Sequence, residues 1–131
     1  MSHQNPTGEI VPVLKRALAL VSDLEKRKFG ATDRPGPARG ATSARHIPAA
    51  VKRAVWERDG GRCTYVSDGG QRCPARSMLE LDHEIPVARG GGATAENLHV
   101  KCRAHNLHAA ECALGVDFMS HKRRQARERA G

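Results

Sequence analysis

The spacing of Cys63, Cys73, Cys102 and His105 constrains this chain more than any other feature of its sequence. Cys102 and His105 form a C-x2-H pair, and the two-residue gap lets both reach one ion. Cys63 and Cys73 stand further apart, with "SDGG" (67–70) between them, a turn signal that folds the segment back on itself. One pair from a loop and a second at C-x2-H spacing make the donor pattern of a structural Zn2+ site, which takes four tetrahedral N or S ligands. The remaining cysteine, Cys112, follows His105 by two helical turns, about 10 Å along a helix axis, too far to share an ion at the helix start. It is expected to be a small buried hydrophobe.

A staple of this kind suits the composition. The 131 residues suffice for one small domain with tails, and the aromatic supply is Phe29, Trp56, Tyr65 and Phe118 against 13 glycines and 7 prolines. The start, "MSHQNPTG", has no basic n-region or apolar h-region, and no apolar run approaches the length of a membrane span. A cytoplasmic location is therefore expected, where cysteines stay reduced and metal ligation comes before disulfides. The balance of 22 Lys and Arg against 14 Asp and Glu, net +8, favours a polyanionic partner and gives no reason to expect a membrane.

Residues 1–29 contain an amphipathic helix over 10–29, with Ile10, Leu14, Ala17, Val21 and Leu24 on one stripe. Such a helix is marginal alone, so it is expected to pack on its own protein or to close a larger domain upstream. Residues 30–46 read as a mobile Gly, Pro and Arg linker. In the domain expected over 47–115, residues 47–59 predict a helix with Pro48 in its first turn, Val51, Val55 and Trp56 inward, and Gly60 and Gly61 at its end. Strands are expected over 79–84, with Leu79 and Leu81 on one face, and over 98–102; a short helix over 103–115 ends at Gly115. The basic tail, 116–131, reads as disordered or loosely helical. His99, Glu84 and Glu111 are expected to be solvated or packed.

"LELDHEIPVARGGGATAENLHVKCRAHN" (79–106) sets Asp82 and His83 at a strand end, then a proline, a glycine-rich loop, Asn97 within "ENL", and Asn106 after the C-x2-H pair. In that order the stretch resembles the HNH endonuclease family and its ββα-metal fold. The likeness runs from Ile47 to Gly115 and includes "VKRAVWERDGGRC" (51–63). It implies a small α+β protein whose ββα-metal core is stapled by zinc and preceded by helices and a linker.

The resemblance also implies roles. His83 would be the general base, a task suited to a neutral imidazole, taking a proton from the water that attacks the scissile phosphorus. Asp82 and Asn106 would hold a catalytic divalent ion, and an oxygen pair favours Mg2+ or Mn2+ over Zn2+. Asn97 would orient the loop through backbone hydrogen bonds. Many members carry His where Asn106 stands, so this would be an HNN variant. His105 could instead be read as the third motif residue, although a helix turns about 100° between 105 and 106, so the two can serve different ions. DNA is the implied partner, with RNA second. Arg89, Arg103 and His108 are candidate phosphate contacts, and Arg72 and Arg76 weaker ones. The rival readings are a zinc-knuckle nucleic-acid-binding module without cleavage and a purely structural zinc domain. One difficulty remains for the sequence: neighbours on a strand face opposite ways, so a bulge or the strand end must bring Asp82 and His83 to one site.

Overall fold

A computed structural model describes residues 9–32 and 46–131. Among them are four α-helices, α1 (Ile10–Lys28), α2 (Ala49–Asp59), α3 (Arg103–Leu114) and α4 (Val116–Ala130). One antiparallel sheet pairs β1 (Leu79–His83) with β2 (Leu98–Cys102). The chain is thus a small α+β protein, as expected. Most of the linker expected over 30–46 lies outside the described residues. Among the described residues no helix is long and apolar enough to cross a membrane.

The sheet register runs one-to-one from Leu79 opposite Cys102 to His83 opposite Leu98. Paired residues share a face, so the pleat sorts the strands cleanly. Leu79, Leu81, Leu98 and Val100 fall on one side, with Cys102 and the strand-end His83 on the same parity, and Glu80, Asp82, His99 and Lys101 on the other. The apolar side builds the core: Leu79, Leu98 and Val100 are fully buried beside Val55 of α2, Cys63 and Phe29. Val51 and Trp56 pack against this cluster, as the sequence predicts. Burying each such large side chain contributes about 1.5–3 kcal/mol, and the cluster is small.

α2 ends because Gly60 and Gly61 adopt left-handed backbone, at φ 68° and 57°. A Cβ at position 61 would lie 2.5 Å from the Trp56 ring. The last residue of α2 then ties the helix to the sheet. Asp59, 7 % exposed, accepts a hydrogen bond from the Val100 backbone N–H at 2.8 Å. Arg58 grips the same carboxylate at 2.7 and 3.0 Å and donates to the carbonyls of Ala95 and Leu98. The hydrogen bond to Asp59 is the chief reason the Arg58 guanidinium is held above its ordinary pKa.

α1 is anchored by one end. Phe29 caps the helix and enters the core, its ring 4.8 Å from that of Trp56. The Glu25 carboxylate accepts from the backbone N–H groups of Met78 and Leu79, and the Lys28 ammonium donates to the Leu79 carbonyl. The apolar stripe before that turn is exposed.

One expectation is narrowed and one is corrected. Of the two readings of the tail, disordered or loosely helical, the helical one agrees with the structure, where residues 116–130 form a regular helix. Its Arg, Lys, Gln, Ala and Glu content is helix-favouring, Asp117 and Arg127 with Arg129 suit the two ends of its dipole, and Arg123 reaches Glu111 of α3 at 2.8 Å. Cys112 is exposed, not buried. It lies about 100–120° around α3 from Ala113 and Asn106, which line the groove against the sheet.

Candidate functional site

The four candidate metal ligands come together as their spacing leads one to expect. Val66 bridges to Arg72, the Cys73 N–H donates to the Tyr65 carbonyl at 2.8 Å, and the turn at 67–71 closes with Ser67 N–H on the Gln71 carbonyl at 2.9 Å. That hairpin sets Cys63 and Cys73 beside the start of α3. The ligand atoms of Cys63, Cys73, Cys102 and His105 all lie within 4.8 Å of one another. His105 Nδ1 is 3.3 Å from Cys102 Sγ and 3.5 Å from Cys63 Sγ. A tetrahedral ion with bonds of about 2.0–2.3 Å sets its donors about 3.5–3.8 Å apart. These four side chains could therefore hold a metal ion, and the donor set is consistent with structural zinc.

The shell around them is built for that position. The His105 ring stacks on Tyr65 at 3.8 Å between centroids. Arg72 donates to the carbonyls of Asp59, Arg62 and Cys63, and Arg76 to that of Gly60, so both weaker phosphate candidates lace the metal loop instead. Burial pushes the Cys63 thiol up. Burial also raises the Cys102 thiol, but the His105 backbone N–H and the neighbouring thiols outweigh it, and the net shift is downward.

On the polar side of the sheet, β1, β2 and α3 enclose a groove of about 500 Å3. Asp82, His83 and Asn106 all line it. The unbroken register excludes a bulge; β1 ends at His83, and there both neighbours reach one groove. Asp82 Oδ2 lies 2.5 Å from Lys101 Nζ, with both side chains largely buried. Asn106 Nδ2 donates to Glu80 Oε2 at 2.5 Å, which orients the amide and leaves Oδ1 as its acceptor. His83 is half-buried, and its imidazole has no hydrogen-bond partner among the described residues.

Asn97 pins the loop that follows β1. Its Oδ1 accepts from the Ile85 N–H at 2.8 Å, and its Nδ2 donates to the carbonyls of Ile85 and Gly92 at 3.1 and 2.9 Å. Gly91 permits this closure, because a Cβ there would lie 1.6 Å from the Ile85 oxygen. Arg89 extends the tie by donating to the Ala113 carbonyl of α3 at 2.7 Å.

Arg103 and His108 are exposed on α3 and do not line the groove. His108 meets Tyr65 edge-on, 6.3 Å between centroids, and its Nε2 is 3.7 Å from Cys112 Sγ. Lys101 lines the groove and escaped the sequence reading, as did Glu80, which orients Asn106 from beside it; His99 and Glu84, expected to be solvated or packed, line it too. His99 Nδ1 accepts from Arg58 at 3.3 Å, which leaves the proton on Nε2, 3.3 Å from the Glu84 carboxylate. Strand parity was the available signal, since residues 80, 82, 99 and 101 share one face once the two strands are paired.

No family model matches the chain, and neither a curated protein nor a solved structure matches it.

Proposed function

We propose that this chain is a metal-dependent endonuclease of the HNH type that hydrolyses DNA phosphodiester bonds on a zinc-stapled ββα-metal core. The observation that carries the reading is the meeting of Asp82, His83 and Asn106 on one groove, beside a loop that Asn97 holds closed. The oxygens of Asp82 and Asn106 fit a hard cation, Mg2+ or Mn2+, better than a soft one. When bound there, such an ion supplies electrostatic stabilisation of charge on phosphate oxygens. His83 does the proton work. Its imidazole, unengaged by other described side chains, takes a proton from water as the water oxygen bonds to phosphorus and the bond to the 3′-oxygen breaks; the departing 3′-oxygen takes up a proton from solvent, and the imidazolium returns its proton to solvent. The products are 5′-phosphate and 3′-hydroxyl ends. Asn97 positions the loop and does no chemistry. The net charge of +8 supports a polyanionic substrate.

Plasmid nicking with Mg2+ or Mn2+ tests the proposal by comparing the parent with His83→Ala at equal zinc content. Loss of nicking in the variant is expected; equal activity in the two proteins rejects the assignment. One observation favours the rival zinc-knuckle binding module: the Asp82 carboxylate is already paired with Lys101. Duplex binding with no nicking by the parent under any divalent ion selects that reading.

A further inference from the structure

We propose that Lys101 is a phosphate contact kept in reserve: Asp82 holds its ammonium until a divalent cation takes that carboxylate, and the released ammonium then binds a phosphodiester oxygen of duplex DNA in the groove. This role rests on the endonuclease reading, which supplies the ligand, and adds to it a coupling between cation and substrate.

The groove and the whole chain differ in charge. The chain carries a net +8, yet among the described residues that line the groove Lys101 is the one lysine or arginine, set against the carboxylates of Asp82 and Glu84. Two arginines close by are committed to the fold. Arg58 grips Asp59 and the Leu98 carbonyl, and Arg89 donates to the carbonyl of Ala113. A phosphate entering the bare groove therefore meets more acid than base, and the single ammonium there is already engaged.

Strand register explains that engagement. Glu80 stands directly opposite Lys101, and Asp82 lies diagonal to it on the same face. A diagonal neighbour is within reach of a long side chain. Glu80 Oε2 accepts from Asn106, and Lys101 Nζ turns to Asp82 Oδ2 at 2.5 Å. The two side chains are 21 % and 14 % exposed, so salt and water screen the pair only in part. In such a setting two cations on one carboxylate repel strongly. With a divalent ion held by Asp82 and Asn106, Lys101 therefore leaves Asp82, and its flexible four-carbon stem lets the head swing. Glu80 offers no refuge, because it holds Asn106 and an ammonium there would stay beside the ion. A partly buried ammonium without a counter-ion is costly, and a phosphodiester oxygen supplies one. Cation and DNA thus each favour the binding of the other, and linkage makes that coupling reciprocal.

The test measures binding of a labelled duplex to the full, zinc-loaded chain by fluorescence anisotropy over a range of salt, first with no other divalent ion. Each protein cation that contacts a phosphate adds about 0.9 to the slope of log affinity against log salt. Asp82→Asn keeps the size of the side chain and removes its charge. It should steepen the slope by about 0.9, which is about 3.5-fold more affinity lost between about 50 and 200 mM salt. Adding Lys101→Met to Asp82→Asn should restore the parent slope, and adding Lys101→Arg should keep the steeper one. Equal zinc content and melting midpoint confirm that each variant is folded. In a His83→Ala background, where no strand is cut, Mn2+ at constant ionic strength should open a slope difference of about 0.9 between that protein and its Lys101→Met variant. An Asp82→Asn slope equal to the parent's overturns the proposal. So does a steeper slope that survives Lys101→Met, since the lost carboxylate alone then accounts for it. A slope difference that Mn2+ leaves unchanged overturns the coupling. None of these readings depends on cleavage. Nicking by a parent whose slope ignores Asp82→Asn keeps the endonuclease reading and removes this one; the expected slopes in a chain that never nicks do the reverse.

Discussion

Replacing Asn97 by Asp and by Ala separates the shape of that side chain from its hydrogen bonding. The amide accepts one backbone hydrogen bond, from Ile85 at 2.8 Å, and donates two, to Ile85 and Gly92 at 3.1 and 2.9 Å. A neutral hydrogen bond contributes about 1 kcal/mol net, and water replaces part of it at the surface, so Asn97→Ala should cost about 1–2 kcal/mol. Asn97→Asp keeps the size and the acceptor but turns both donors into an oxygen facing two carbonyl oxygens. It should cost more, about 2–3 kcal/mol, with each kcal/mol lowering the melting midpoint by about 4–8 °C. The sign of the pH dependence follows. An introduced carboxyl facing carbonyls disfavours its anion, so its folded pKa lies above its unfolded one. The penalty is complete above the folded pKa and shrinks as pH falls through it, whereas the alanine variant provides a reference without that group. Thermal melts of the zinc-loaded proteins, run at neutral and mildly acidic pH, measure both effects. The reasoning fails if Asn97→Asp melts at or above Asn97→Ala at neutral pH, or if the gap between them ignores pH.

Stripping the metal with a strong chelator, or Cys63→Ser, should abolish cooperative unfolding, because the buried cluster of Phe29, Val55, Cys63, Leu79, Leu98 and Val100 is small; an unchanged melt in demonstrably metal-free protein refutes it. Asp59→Ala should cost about 1–3 kcal/mol by orphaning the buried Val100 N–H, and Asp59→Asn less because an acceptor remains, as urea titration would show. Gly91→Ala should open the loop and abolish nicking while zinc content stays at the parent level, since the added Cβ would lie 1.6 Å from the Ile85 oxygen; full nicking activity contradicts this. Lys101→Met should tighten Mn2+ binding at least about tenfold, by removing a cation whose repulsion with a divalent ion is roughly 8 kcal/mol at 4 Å in a partly buried setting before screening and before the lost attraction to Asp82 is set against it; calorimetry or electron paramagnetic resonance reads the affinity without reference to cleavage.

Much of the fold was readable because local signals agreed with one another. Apolar spacing and glycine stops place α2, and parity with turn chemistry places β1 and β2. The Cys3His cluster that could hold a metal was equally readable, since C-x2-H spacing and a glycine hairpin each limit where a side chain can reach. The tail was left between disorder and a loose helix because it carries little apolar periodicity; propensity, a favourable dipole and one ion pair to α3 sustain the helix. Cys112 was misread because its burial depends on which side of α3 meets the sheet, and residue type alone does not say.

Asn97 shows how far a motif can be followed. Its three backbone partners lie on both sides of a loop whose path the residue itself helps to set. The sequence by itself indicated α2, β1, β2, α3 and the four-residue Cys3His cluster, because each rests on spacing along one chain, and it offered Asp82, His83 and Asn106 through a family resemblance. Only the tertiary structure decided that Lys101 pairs with Asp82, that Glu80 orients Asn106, that Asp59 holds β2, and that α1 leaves its apolar face bare beyond an anchored end. Those outcomes depend on strand register and on which helix face meets the sheet, and such through-space contacts leave no periodic trace in the order of residues.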